Sequence, residues 1–171
     1  MQMRLQEWME TKEIDMAVKK GEKLIADNRK AFHEYHILER MEAGIELTGT
    51  EVKSIRQSRV NLSDSYAGVD RGELWLYGMH ISPYEQGNRF NPDPMRTRRL
   101  LMHKQEIQRL HGRVRQDGLT LVPTRMYFKN SMVKVEIGLA KGKKLHDKRD
   151  TEARRRTDRE IERQVKSDAR D

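Results

Sequence analysis

The stretch from Met132 to Arg149 constrains this chain more than any other. Val133, Val135, Ile137 and Leu139 share one parity, with Lys134 and Glu136 between them, which is the period of a half-buried strand. The apolar pattern then stops at Ala140. Lys141-Gly142-Lys143-Lys144-Leu145-His146-Asp147-Lys148-Arg149 follows, and nothing after it can fill a core. A folded body therefore ends where a basic arm begins.

Charge sharpens that division. The 171 residues carry a formal charge of +8, with −1 in residues 1–27, +5 in 28–140 and +4 in 141–171. Such an excess suits a polyanionic partner. Hydrophobic residues make up 35% and charged residues 36%, so part of the chain is expected to lack structure on its own. There is no cysteine, hence no disulfide framework and no thiolate metal site. No apolar run reaches the roughly 18 residues of a membrane span, and no signal peptide opens the sequence. A cytoplasmic protein without a membrane partner is expected.

Residues 1–27 read as a weakly structured extension. Leu5, Trp8 and Met9 give a faint helical pattern, and Met16-Ala17-Val18-Lys19-Lys20 is a plausible start in its own right. Tyr35 to Leu47 reads as a long strand, with Glu39 breaking the apolar parity and Gly44 marking a bulge or a close backbone approach. Thr48 and Glu51 form a capping box, which opens a short helix with Val52 and Ile55 inward and Lys53 and Arg56 outward. Tyr66 to Val69 and Leu74 to Ile81 pair about Asp70-Arg71-Gly72, with Trp75, Tyr77, Met79 and Ile81 expected on one face.

Pro83, Pro92 and Pro94 punctuate a long loop from Ser82 to Arg99, of a length that is usually functional. Ile107, Leu110 and Val114 place a helix over His103 to Gln116, stopped by Gly118. Two strands follow, Leu119–Val122 and Arg125–Phe128, with Pro123 at an edge or bulge. About six antiparallel strands with two or three helices and a disordered basic tail describe a small mainly β barrel with flanking α. Beyond Arg149 only Ala153, Ile161, Val165 and Ala169 are apolar, so the arm is expected to be coil alone and helical on contact.

Catalytic chemistry finds no foothold. The histidines at 33, 36, 80, 103, 111 and 146 lack a third ligand at metal spacing, and no Gly-rich phosphate loop follows a strand. Neither a cofactor nor an enzyme is expected. Binding chemistry is present instead: cations track phosphates, and aromatic faces stack on unpaired bases. Trp75 and one of Tyr127 and Phe128 are expected in the core, with Tyr35 and Tyr66 more open. On the residues alone this is a basic barrel with a cationic arm that binds RNA.

Several motifs then occur in order: Asn28-Arg29-Lys30-Ala31, His33-Glu34-Tyr35, Glu42-Ala43-Gly44, Glu51-Val52-Lys53-Ser54, Ser63-Asp64-Ser65-Tyr66 and Gly142-Lys143-Lys144-x-His146-Asp147-Lys148-Arg149. Together they resemble the small protein B (SmpB) family, which accompanies transfer-messenger RNA (tmRNA, or SsrA) to stalled ribosomes in trans-translation. The resemblance runs from about Ala26 to Arg149. It implies an OB-like barrel, no catalysis, and binding to the tRNA-like domain of tmRNA. It further implies a tail that enters the empty mRNA channel of the stalled 70S ribosome near the small-subunit decoding centre and becomes helical there. Elongation factor Tu would join through aminoacyl-tmRNA.

On this sequence the resemblance puts RNA-gripping roles at Glu42, Leu101 and His103, with aromatic contacts at Tyr35 and Tyr66. The neighbouring motif residues Asn28, Arg29, Lys30, Lys53, Arg56 and Arg98, and the lysines Lys141, Lys143 and Lys144, complete the expected RNA surface. His33 is expected to face the decoding region. His146, Asp147, Lys148 and Arg149 are expected on the ribosome, with Arg154, Arg155 and Arg156, where some relatives carry an aromatic. Two rivals stay open: a barrel of the ribosomal or initiation-factor type that binds ribosomal RNA directly, and an RNA-modifying enzyme.

Overall fold

The computed structural model describes residues 21–168, apart from the side chains of 151 and 165–168. The faint helix and the start at Met16 lie outside the described residues. In chain order the elements are β1 (Glu22–Asp27), α1 (Arg29–Glu34), β2 (Tyr35–Ile45), α2 (Gly49–Arg56), β3 (Val60–Asn61), β4 (Tyr66–Asp70), β5 (Glu73–Tyr77) and β6 (His80–Ile81). A single 3-10 turn at Asn88–Phe90 precedes β7 (Arg98–Leu101), α3 (Lys104–Asp117), β8 (Thr120–Lys129), β9 (Met132–Gly142) and α4 (Leu145–Asp168).

Six strands close into an antiparallel ring, β8-β4-β5-β7-β2-β9 and back to β8, as the hairpin spacing predicts. Closure removes the free edges of the sheet. β1 adds a strand ahead of the expected boundary at residue 28: Glu22 to Asp27 pair with Lys129 to Arg125, while β4 meets the same edge of β8 at Leu121. Arg71 and Gly72, and Asn130 and Ser131, all adopt positive φ, the backbone of tight two-residue hairpin turns.

Val135, Ile137 and Leu139 of β9 are fully buried, so the opening parity holds. They meet Leu74, Leu76, Leu100 and Leu121, with Ile55 of α2 and Ile107 and Leu110 of α3 sealing the barrel. Each such side chain contributes about 1.5–3 kcal/mol by leaving water. A second cluster of Ala31, Val122 and Ala140, joined by Tyr35 and Ile37, fixes α1 to the wall.

Two strand expectations resolve between their alternatives and one changes. The irregularity in β2 lies between Ile37 and Glu39, while Gly44 is a close approach: a Cβ there would stand 3.2 Å from the Leu101 Cβ. Glu39 keeps the inward parity because Arg109 and Arg113 of α3 reach over to its carboxylate. Pro123 does not divide two strands; a bulge between Pro123 and Arg125 lets β8 run unbroken beside β9. In β5 it is Leu74 and Leu76 that face inward, so Trp75 and Tyr77 lie on the outer face. Gly78, at φ +73°, flips the parity there and returns Met79 and Ile81 to the core. A period-two count taken through that glycine puts the wrong face inside.

The arm, expected to be coil alone and helix on contact, is helical here over Leu145–Asp168. The arm is the 24-residue helix α4, which begins against α1. Asp147 accepts the Lys144 N–H at 3.1 Å, closing the first turn as a cap does.

Candidate nucleic-acid interface

The first group of expected RNA residues gathers at a cleft of about 340 Å³ between α1, the loop before β4 and the start of β8. Lys30, Tyr35 and Tyr66 line it, with Glu34, Asp64 and Thr120. Tyr66 is half exposed and stacks on Tyr77, with ring centroids 5.2 Å apart and planes 21° apart. Lys30 bonds Asp64, which holds its ammonium at the cleft and raises its pKa. Arg29 points almost wholly into solvent.

Asn28 is a correction. It is buried, accepts the Ala31 N–H at 3.1 Å and donates to the carbonyls of Leu62 and Pro123 at 3.1 and 2.8 Å. Its amide is used in starting α1 and tying it to two loops, so at the cleft wall its role is structural rather than a free contact for RNA.

The second group lies on the outer face of β2 and β7. Glu42 and Gly44 share a parity, and Gly44 pairs with Leu101, so Glu42 and the half-exposed Leu101 are diagonal neighbours. Glu42 is not a bare carboxylate. It accepts from Lys129 Nζ at 2.8 Å and from the Tyr127 hydroxyl at 2.7 Å, and the Lys129 bond, outweighing desolvation, lowers its pKa. Tyr127 is buried, and desolvation with the Glu42 bond pushes its hydroxyl above the ordinary phenol value. His103 is the exposed N-cap of α3, its N–H donating to Glu106 at 3.2 Å.

Arg98 is the other correction. It is 0% exposed and donates to Glu51 Oε1 at 2.9 Å and to the carbonyls of Met79, Arg96 and Pro94. Arg96 donates to both Glu51 oxygens, at 2.9 and 2.6 Å, and the Thr48 N–H donates at 2.9 Å. Burial pushes the Glu51 carboxyl up and these donors pull it below its ordinary value. From sequence Glu51 is legible only as a cap; the Arg96-x-Arg98 run opposite it was the available signal. Lys53 and Arg56 do project outward.

In the third group, Lys141 and Lys144 are exposed at the barrel's end. Lys143 turns back, donating from Nζ to the Phe32 carbonyl at 3.0 Å, and desolvation lowers its pKa. His33 Nε2 lies 3.0 Å from Glu152 Oε1, and His36 lies 3.6 Å from Asp147. His146 is also 3.0 Å from Asp147. Donation from the Lys144 N–H keeps the Asp147 carboxyl below its usual range. Arg149, Arg154 and Arg156 are exposed along α4, while Lys148 and Arg155 are half-buried. Among the described residues no helix is long and apolar enough to cross a membrane.

Comparison with known proteins fits this geometry. The family model described as SmpB protein matches residues 25–167. This chain belongs to the SmpB family. The family's span thus takes in nearly all of the barrel and of α4. The SsrA-binding protein of Carboxydothermus hydrogenoformans is 64% identical over 146 residues, covering 85% of this chain and 98% of its own length. That of Gloeothece citriformis is 63% identical over 145 residues, covering 84% and 94%. A solved chain described as "tmRNA-SmpB: a journey to the center of the bacterial ribosome" is 52% identical, with a TM-score of 0.60 over 70% of this chain and 85% of that one.

Proposed function

We propose that this chain binds the tRNA-like domain of tmRNA, carries it to stalled 70S ribosomes and lays its C-terminal arm in the empty mRNA channel. The observation that carries the reading is the 64% identity to an SsrA-binding protein across 98% of that protein's length. The role is recognition in the bacterial cytoplasm, with no catalytic step and no cofactor. Elongation factor Tu joins through the aminoacylated end of the RNA.

The barrel grips tmRNA. Lys30, Tyr35 and Tyr66 offer a cation and aromatic faces at one cleft, and Leu101 and His103 offer a half-exposed apolar side chain and an imidazole beside β7. Glu42 acts with Lys129: the carboxylate aims the ammonium and keeps its second oxygen for a base N–H. Lys53, Arg56, Lys141 and Lys144 supply phosphate contacts, as sequence-independent charge contacts do.

The arm from residue 141 addresses the ribosome. Its α4 already has the helical form that a channel lined by phosphates can take up, with arginines at 149, 154 and 156 turned to solvent. Glu152 holds His33 in the free chain, so departure of the arm toward the channel releases His33 to the decoding region. Truncation after Asp150 tests the division of labour. Affinity for tmRNA should persist while tagging of stalled chains on ribosomes is lost. Tagging at the normal rate by the truncated chain would refute the arm's role.

A further inference from the structure

The loop from Ser82 to Thr97 has no part in the surfaces described so far, yet it is firmly built. Asn91 Oδ1 accepts the Tyr84 N–H at 2.9 Å, and its Nδ2 donates to the Tyr84 carbonyl at 2.8 Å, closing a ring of backbone. Gly87 completes that clasp, since a Cβ there would lie 2.7 Å from Asn91 Oδ1. The Thr50 hydroxyl donates to the Phe90 carbonyl at 3.2 Å, and the Ile81 N–H to Pro94 at 3.1 Å. Arg98 holds the loop's end from inside, through Pro94 and Arg96.

This framework carries Phe90 at its tip, 70% exposed, with the Arg89 guanidinium 5.1 Å from its ring centroid. Nearby, Lys53 Nζ lies 5.3 Å from the centroid of Tyr84. The ring is thus presented to solvent on a fixed loop, with a cation beside it. The charge around it names the partner's chemistry. Among the described residues no carboxylate pairs with Lys53, Arg56 or Arg89, whereas Arg59 holds Glu85 at 2.8 Å. A protein docking on Phe90 would have to strip water from unpaired cations. An unpaired nucleotide instead lays its base on the ring and its phosphates against the cations.

We infer that this loop is a further RNA-contact surface, on which Phe90 stacks against an unpaired base of tmRNA while Arg89, Lys53 and Arg56 meet the adjoining phosphates. Lys53 joins the two surfaces: it belongs to the proposed grip and also covers Tyr84 of the loop. The inference rests on the reading of the chain as a tmRNA binder.

The test is titration of the full chain with a labelled tRNA-like-domain fragment of tmRNA. Phe90→Ala should raise Kd about 5- to 150-fold, the loss of one stacked base. Phe90→Trp should keep the parent's affinity, and its added emission should be quenched as RNA binds. Both variants should melt as the parent does, because the ring is outside the core. An unchanged Kd for Phe90→Ala overturns the inference while leaving the tmRNA reading standing. A parent chain that does not bind the fragment overturns both. Loss of binding to 70S ribosomes alone makes the loop a ribosome-facing surface, and the inference is then wrong.

Discussion

Glu51→Ala should be among the most damaging single changes in this chain, although residue 51 lies outside every surface proposed to touch RNA. Its carboxylate, 3% exposed, compensates Arg98, which is 0% exposed, and also takes donors from Arg96 and the Thr48 N–H. Removing one partner of a buried ion pair leaves the other charge without water or counter-charge, at a cost of about 3–5 kcal/mol. For a chain of this size that is a fall in Tm of roughly 6–20 °C. The exposed pair Arg99–Glu46 serves as control: Glu46→Ala should cost under about 1 kcal/mol.

Thermal melting by circular dichroism, with urea titration for the free energies, reads both variants. The pH dependence has a definite sign. Because the folded-state pKa of Glu51 is lowered, its contribution is complete above the unfolded value of about 4.3. It is lost as pH falls below that value through the folded pKa. Adding Arg98→Met to Glu51→Ala should recover part of the loss by removing the stranded guanidinium. A Glu51→Ala penalty below about 1 kcal/mol, or no coupling between the two sites, would refute the reasoning.

Glu42→Ala should weaken tmRNA binding and also lower stability by about 1–2 kcal/mol, because the buried Tyr127 hydroxyl loses its acceptor; unchanged melting would show that Tyr127 finds another. Lys141→Ala with Lys144→Ala should flatten the plot of log Kd for tmRNA against log salt by about 0.7–0.9 per lysine. An unchanged slope would remove both from the phosphate contacts.

The ring of strands was legible because its apolar parity is strong. Val135, Ile137 and Leu139 follow it without exception, and hairpin turns separate the pairs. Parity failed where the backbone departs from two residues per repeat, at Gly78, since the glycine leaves no unambiguous mark on local composition. β1 leaves little mark in the sequence because Glu22–Asp27 is short, mixed in charge and paired against β8 from far along the chain. The candidate site divides in the same way. Exposed cations such as Lys53, Arg56 and Lys141 follow from outward parity, but whether a polar side chain is free depends on partners far along the chain. Asn28 answers to Pro123, 95 positions away, and Arg98 to Glu51, 47 away, and no window of sequence contains both ends.

The arm shows the same dependence in functional terms. Its scarcity of apolar residues argues that nothing holds it, yet α4 is fastened by polar contacts: Glu152 to His33, Asp147 to His36, and Lys143 to the Phe32 carbonyl at the end of α1. These contacts all fall in the first turns, within Lys143–Glu152. Past that point Arg154, Arg156, Arg159 and Arg163 are exposed, while Arg155, Asp158, Ile161 and Glu162 are half-buried. Partly exposed polar contacts of this kind contribute only about 0–1 kcal/mol each. On the proposed reading, ribosomal phosphates meeting Arg149, Arg154 and Arg156 together would have enough to offer to draw the arm off the barrel. A tail held more firmly, by leucines for instance, would resist leaving. Weak fastening by histidine and carboxylate suits the proposed role, in which the helix would be ready before the ribosome is found and released once it is.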